Sequence, residues 1–219
     1  MFKKRAIIVS GGTCNRELLA SIYKTTPFQL LIAVDGGLHC FEDEYFSPNM
    51  IVGDFDSVHS DLLAHFQDTS NRPEIIKLNP VKDMSDTQAA VDIAIERGVT
   101  EVVLLGATGT RIDHMYANLQ LLVRMERNLV KGVIVDTHNR IRVITKSFQI
   151  KKSEQYGKYV SFLPFNGPVT GVNLQGVKYP LTDYTMPVGD SIGVSNEISG
   201  EEAVINIASG ILLMIESRD

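Results

Sequence analysis

Six short runs before residue 136 are nearly continuous in apolar residues: Ala6–Val9, Leu30–Val34, Met50–Val52, Glu74–Leu78, Glu101–Leu105 and Gly132–Val135. A strand with one wet face alternates polar and apolar residues, whereas a strand covered on both faces has no polar face to present. The runs therefore predict a parallel sheet with helices packed on its two sides. Helical patterns fall between them. Ser85-Asp86-Thr87-Gln88 is a capping box opening a helix whose Val91, Ala94 and Ile95 share a face and whose Gly98 ends it. Ile112, Met115, Tyr116, Leu119, Leu122 and Val123 recur at i, i+3, i+4, i+7 and predict a second amphipathic helix. After about residue 139 the helical period is lost. Short alternating segments take over, punctuated by Asn166-Gly167-Pro168, Gly171, Gly176, Pro180 and Pro187-Val188-Gly189-Asp190. The second half is expected to be all-β, a small sandwich or barrel, with a boundary near 138–148 and no low-complexity linker.

Twenty-one Lys+Arg against 26 Asp+Glu give a net charge of −5, which excludes a nucleic-acid binder that relies on bulk positive charge. With 44% hydrophobic and 21% charged residues in 219, the chain can bury a core of ordinary size. Its longest apolar runs have strand length and none suits a bilayer span. The basic start Met1–Arg5 is followed only by Ala6–Val9, too short for the core of a signal peptide. Cys14 and Cys40 are the only cysteines, and no Asn-x-Ser/Thr sequon occurs. A cytoplasmic protein in a reducing compartment is expected, with neither membrane nor nucleic acid as a partner.

The acidic residues have a positional pattern. Leu30–Val34 ends in Asp35-Gly36-Gly37, Met50–Val52 in Gly53-Asp54-Phe55-Asp56-Ser57, and Glu74–Leu78 leads to Asp83-Met84-Ser85-Asp86. In an open parallel sheet all carboxyl ends of strands lie on one rim, and ligands bind there. Five carboxylates gathered on that rim would repel one another unless a cation compensates. Hard oxygen ligands suit Mg²⁺, which takes one or two carboxylates and shares the rest of its shell with water and phosphate. Asp is also a common turn and N-cap residue, and Asp86 suits the first turn of a helix on those grounds alone.

Glycine-bearing turns share the rim: Ser10-Gly11-Gly12, Gly36-Gly37, and Gly106-Ala107-Thr108-Gly109-Thr110-Arg111 directly before a helix. Such turns let main-chain N–H groups approach an anion. Neither the dinucleotide fingerprint G-x-G-x-x-G nor the Walker pattern is present. Lys82 and Arg111 are cations among these acids. Arg111 could fork onto phosphate with Asp113 orienting it, or the two could form a local ion pair; His114, next in line, is a hydrogen-bond donor or a structural residue. Carboxylates, Mg²⁺ and cations together suit phosphoryl transfer.

In their order along the chain, Asp35-Gly36-Gly37, Gly53–Ser57, Asp83–Asp86, the Gly106–Arg111 loop with Asp113-His114, and Ser195-Asn196-Glu197 resemble the motifs of thiamine pyrophosphokinases of the bacterial type. The resemblance covers essentially the whole length. It implies an α/β fold: a parallel-sheet, Rossmann-like α/β domain over residues 1–140, then a small all-β sandwich domain over 141–219. It implies an enzyme that moves the β,γ-diphosphoryl unit of ATP onto the thiamine hydroxyl, releasing AMP, and that works as a homodimer with active sites between subunits. By similarity Asp54, Asp56 and Asp86 would hold Mg²⁺ and triphosphate, with Arg111 and Asp113 completing the catalytic set. Gly11, Asp35, Gly36, Lys82, Asp83, Thr87, Thr108, Gly109 and His114 would serve the nucleotide. Tyr179, Ser195 and Asn196 would serve thiamine, Tyr179 standing where other members place a Trp, a residue absent from this chain. The family loop G-G-x-G-G-R keeps only its first and fourth glycines here. The rival readings are a diphosphokinase for a pterin alcohol, a nucleotide pyrophosphatase and a ligand sensor without turnover.

Overall fold

The computed structural model describes residues 3–25, 27–42, 47–56, 60–68, 72–81 and 83–219, without the side chains of 60 and 68. The chain divides into two compact units, Met1–Thr137 and His138–Asp219.

The first unit contains strands β1 (Arg5–Val9), β2 (Leu30–Val34), β3 (Met50–Gly53), β4 (Glu74–Lys77), β5 (Glu101–Leu105) and β6 (Lys131–Val135). They pair in parallel in the order β4-β3-β2-β1-β5-β6. Each lies within a residue or two of the apolar run that predicted it. Ala6 to Val9, Ile32, Ala33 and Met50 to Val52 are fully buried, as two covered faces require. The edge strand β4 is the exception, with Glu74 and Lys77 exposed. Helices α1 (Arg16–Thr25), α2 (Ser60–Asp68), α3 (Asp86–Glu96) and α4 (Ile112–Arg127) connect the strands, and a 3-10 helix, Asp35–Phe41, follows β2.

The order fixes where a ligand can sit. The chain runs outward from β1 through β2 and β3 to β4, then returns to place β5 on the other side of β1. This reversal opens a crevice between the loops that leave β1 and β5. Ser85 caps α3 as its sequence predicts, its Oγ accepting the Gln88 N–H at 3.2 Å, and Gly98 at φ +74° ends the helix. α4 departs from its predicted face. Leu122 and Val123 are buried, together with Asn118, Leu121 and Met125, but Ile112 and Tyr116 are exposed. Its apolar pattern thus merges a core-facing stripe with a solvent-facing apolar pair at its first turns.

In the second unit, β7 (Asn139–Ile144), β9 (Tyr159–Pro164) and β13 (Leu212–Ser217) form one antiparallel sheet in the order β7-β13-β9. β8 (Phe148–Lys151), β10 (Val169–Gln175), β11 (Leu181–Met186) and β12 (Glu202–Asn206) form another, ordered β11-β10-β12-β8. Ile144, Val160, Phe162, Leu212 and Met214 of the first share one core with Ile150, Val172, Leu174, Ala203 and Ile205 of the second. This is the expected sandwich. At one end of it Glu216 is completely buried, held by Arg140 at 2.5 and 2.6 Å and by the Tyr156 N–H at 3.0 Å. Pairing of this kind is what lets a carboxylate remain in a core.

Candidate active site

The loops after β1 and β5 are laced together. Ser10 N–H donates to Leu105 O, Gly12 N–H to Gly106 O and Thr13 N–H to Thr108 O, each at 2.8 Å. From α4 the buried Asn118 donates its Nδ2 to Ala107 O, also at 2.8 Å. Three successive carbonyls, of residues 106 to 108, are thereby occupied. In a trans peptide the next N–H points opposite to the carbonyl. The N–H groups of Ala107, Thr108, Gly109 and Thr110 have no acceptor among the described residues, and these residues line a cavity of about 630 Å³. That row of donors suits an anion. Only glycine fits at position 12, where a Cβ would lie 2.3 Å from Thr108 O and 2.4 Å from Gly106 O.

Gly11, Gly36, Asp35, Asp54, Asp56, Asp86 and Thr87 also line this cavity, as do Thr108, Gly109, Arg111 and His114. Asp35 sits at φ +43°, a sparsely populated conformation for a residue with a side chain, and its Oδ1 accepts the Phe55 N–H at 3.4 Å. The bare α-carbon of Gly53 makes room for that carboxyl, since a Cβ would stand 1.9 Å from Asp35 Oδ1. Burial, then the charge and hydrogen bond of Asp86, push the Asp35 carboxyl up to about 7. Of the five carboxylates expected on the rim, four, Asp35, Asp54, Asp56 and Asp86, line the cavity. Among the described residues, however, no three acidic, His or Cys side chains are close enough together to hold a metal. The donors still fit Mg²⁺, which needs only one or two of them alongside phosphate oxygens.

Of the two predicted cations only Arg111 is among the described residues. Arg111 reaches the cavity at the start of α4 but is paired with Asp113 at 2.6 Å, and both side chains are about two-thirds exposed. The hydrogen bond from Arg111 holds the Asp113 carboxyl down at about 2. Asp113 does not itself line the cavity, so the local ion pair is the arrangement formed. Asp83 is exposed and also stands off the cavity wall, and Lys82 lies outside the described residues. Ser10, Thr13, Ser85, Met115 and Asn118 are lining residues that sequence reasoning missed. Ser10 is 2% exposed at the end of the central strand and accepts a hydrogen bond from Thr87 at 3.0 Å. Cys14 and Cys40 are joined in a disulfide, with Cα atoms 6.4 Å apart, linking the loop after β1 to the 3-10 helix that starts at Asp35.

In the second unit Asn196 is 1% exposed, and its amide uses three of its four hydrogen-bonding sites. Its Oδ1 accepts the N–H groups of Tyr179 at 3.0 Å and Glu197 at 2.9 Å, and its Nδ2 donates to Tyr179 O at 2.8 Å. Tyr179 is thus clamped through its backbone while its side chain stays about half exposed. Ser195, at φ +55°, is exposed and donates its N–H to Ser161 Oγ at 3.0 Å. Of the three residues expected to meet thiamine, two present side chains to the outside and Asn196 is a strut.

Residues 24–134 match the thiamin pyrophosphokinase catalytic domain, and residues 145–212 match the thiamin pyrophosphokinase vitamin B1 binding domain. The thiamine pyrophosphokinase of Bacillus subtilis is 32% identical over 213 residues, covering 97% of this chain and 98% of that protein. The chain belongs to the thiamine pyrophosphokinase family. The crystal structure of thiamine pyrophosphokinase from Bacillus subtilis superposes with a TM-score of 0.88 at 30% identity, covering 99% of this chain and 100% of that one. That of thiamin pyrophosphokinase from Geobacillus thermodenitrificans gives 0.84 at 30% identity, over 98% of both chains. Within this chain, the two positions of the loop that lack the family glycines, Ala107 and Thr110, are accommodated in different ways. The Ala107 methyl is buried at 3% exposure, while Thr110 stands in solvent at the loop tip.

Proposed function

We propose that the chain is an ATP:thiamine diphosphotransferase, transferring the β,γ-diphosphoryl group of ATP to the hydroxyethyl oxygen of thiamine to give thiamine diphosphate and AMP. One observation carries the reading. A single cavity, at the crevice where the strand order reverses, combines a row of unpaired main-chain donors, four carboxylates and Arg111. An alcohol and a polyphosphate need in-line placement and charge neutralisation, with little covalent help from the protein.

The loop amides of residues 107–110 bind phosphate oxygens, and Arg111 stabilises charge on the transferring unit. Asp54, Asp56 and Asp86 would hold Mg²⁺, which neutralises polyphosphate charge when bound. Asp35 supports them, protonated or ionised as the local charge demands. Ser10 and Thr87 add hydroxyl groups to the same wall. Tyr179 offers an aromatic face for the cationic thiazolium ring, and Ser195 a hydroxyl. The working form is read as a cytoplasmic homodimer with active sites between subunits, and nucleic acid and membrane play no part. Among the described residues no helix is long and apolar enough to cross a membrane.

The test is product analysis of purified protein with ATP, Mg²⁺ and thiamine. Stoichiometric AMP and thiamine diphosphate are expected. AMP formed equally without thiamine would mean a pyrophosphatase, turnover only with a pterin alcohol would mean a different acceptor, and ligand binding without turnover would mean a sensor.

A further inference from the structure

The loop after β5 has one more tie, to a residue that stands off the cavity wall. Thr108 Oγ1 donates to Asp136 Oδ2 at 2.9 Å. Asp136 stands one residue beyond the end of β6, the strand paired with β5, and is not a wall of the main cavity. It borders instead a separate void of about 20 Å³ behind the loop, together with Thr13, Gly106 and Val135. The hydroxyl of Thr108 is therefore spent away from the nucleotide side. The same residue's carbonyl is held by Thr13 from the β1 loop. Thr108 is gripped at two points by two different strand ends, while its N–H remains among the donors without an acceptor.

We propose that Asp136 is a positioning residue for the nucleotide, acting through Thr108 to hold the row of loop amides in register with the polyphosphate. This rests on reading the main cavity as the ATP site. A hydrogen bond to an ionised acceptor is stronger and more directional than one between neutral groups. The sign of the charge makes the role distinguishable. A carboxylate near a polyphosphate repels it, so an Asp136 without a positioning role would weaken nucleotide binding and its removal would tighten it. A positioning role predicts the opposite.

The experiment measures nucleotide affinity calorimetrically with a non-hydrolysable ATP analogue and Mg²⁺, and steady-state KM for ATP and thiamine, on the full chain. Asp136→Ala and Thr108→Val should each weaken analogue binding and raise the ATP KM about tenfold, leaving the thiamine KM unchanged. The double variant should be no worse than either single one, because both break the same bond. Asp136→Asn and Thr108→Ser, which keep an acceptor and a hydroxyl, should restore most of the affinity. Tighter or unchanged analogue binding in Asp136→Ala overturns the inference, as do additive losses or equal shifts in both KM values. Because affinity is read without thiamine, an absence of thiamine diphosphate would refute the proposed reaction and leave this inference to the binding data. A wild-type protein that binds no nucleotide would overturn both.

Discussion

Gly12→Ala tests the architecture of the site most directly, because the clash is with main chain on both sides. An added Cβ would stand 2.3 Å from Thr108 O and 2.4 Å from Gly106 O, so no side-chain rotation relieves it and the two loops must move apart. That movement breaks the bonds from Gly12 N–H to Gly106 O and from Thr13 N–H to Thr108 O, both 2.8 Å long. At about 0.5–1.5 kcal/mol net for each bond, the loss is about 1–3 kcal/mol. For a chain of this size that lowers Tm by roughly 2–12 °C. The same movement takes the amide row out of line with a bound phosphate, so the ATP KM should rise at least about tenfold. Gly11→Ala is the control for stability, since its Cβ would meet Gly36 at an ordinary 3.5 Å and should leave Tm within about 1 °C. Differential scanning fluorimetry and steady-state kinetics on the three proteins read both quantities. A Gly12→Ala protein that melts with the wild type and keeps its ATP KM would refute the laced-loop account.

The Asp35 carboxyl, ordinarily at 3.8, is raised to about 7 in the folded chain, mainly by burial and by Asp86. The folded state thus retains a proton that the unfolded state releases, so the stability this group contributes is present below about pH 4 and lost as the pH rises through about 7. In EDTA, Asp35→Asn should match the wild type near pH 4 and melt higher near pH 8; equal melting at the higher pH would contradict this origin of the shift. Asp54→Asn and Asp86→Asn should each lower kcat by about 10²–10³ with Tm little changed, and full activity in both would remove them from the machinery. Tyr179→Ala should raise the thiamine KM about two- to thirtyfold, the worth of an aromatic face against a cation, with kcat nearly unchanged. Asn196→Asp retains an acceptor but loses the donor to Tyr179 O, so it should shift the thiamine KM in the same direction without touching the ATP KM. A proportionate rise in both constants would mean general unfolding instead.

What could be read in the sequence is what the chain encodes locally. A strand buried on both faces must be apolar throughout, so β1, β2, β3, β5 and β6 were visible as runs. Parallel strands share one carboxyl rim, so the sequence alone places Asp35, Asp54, Asp56 and Asp86 on one rim, and all four line the cavity. The residues misjudged are those whose role depends on partners distant in sequence. Ile112 and Tyr116 fit the helical period of α4 yet are exposed, because periodicity reports apolar spacing and not which stripe meets the sheet. Asp136 meets Thr108 across 28 residues, and Cys14 meets Cys40 across 26, with nothing in the intervening sequence to announce either contact.

Asn196 shows why a motif alone cannot settle such roles. A Ser-Asn pair in a ligand-binding half reads naturally as two hydrogen-bonding contacts for the ligand. An amide has a fixed capacity of two donors and one double acceptor, and Asn196 spends two acceptances and a donation on main chain while 1% exposed. A second hydrogen on Nδ2 is all it has left, and burial denies it a route to an outside ligand. What Asn196 does is fix the backbone of Tyr179, whose ring has the Lys178 ammonium 5.4 Å from its centroid. Ser10 is the converse. It drew notice only for the glycines beside it, yet it is a buried hydroxyl on the cavity wall that accepts from Thr87 and retains its own proton to donate. Saturation of a polar group's hydrogen-bonding capacity, more than its place in a motif, thus separates a strut such as Asn196 from a group such as the Ser10 hydroxyl that can still donate.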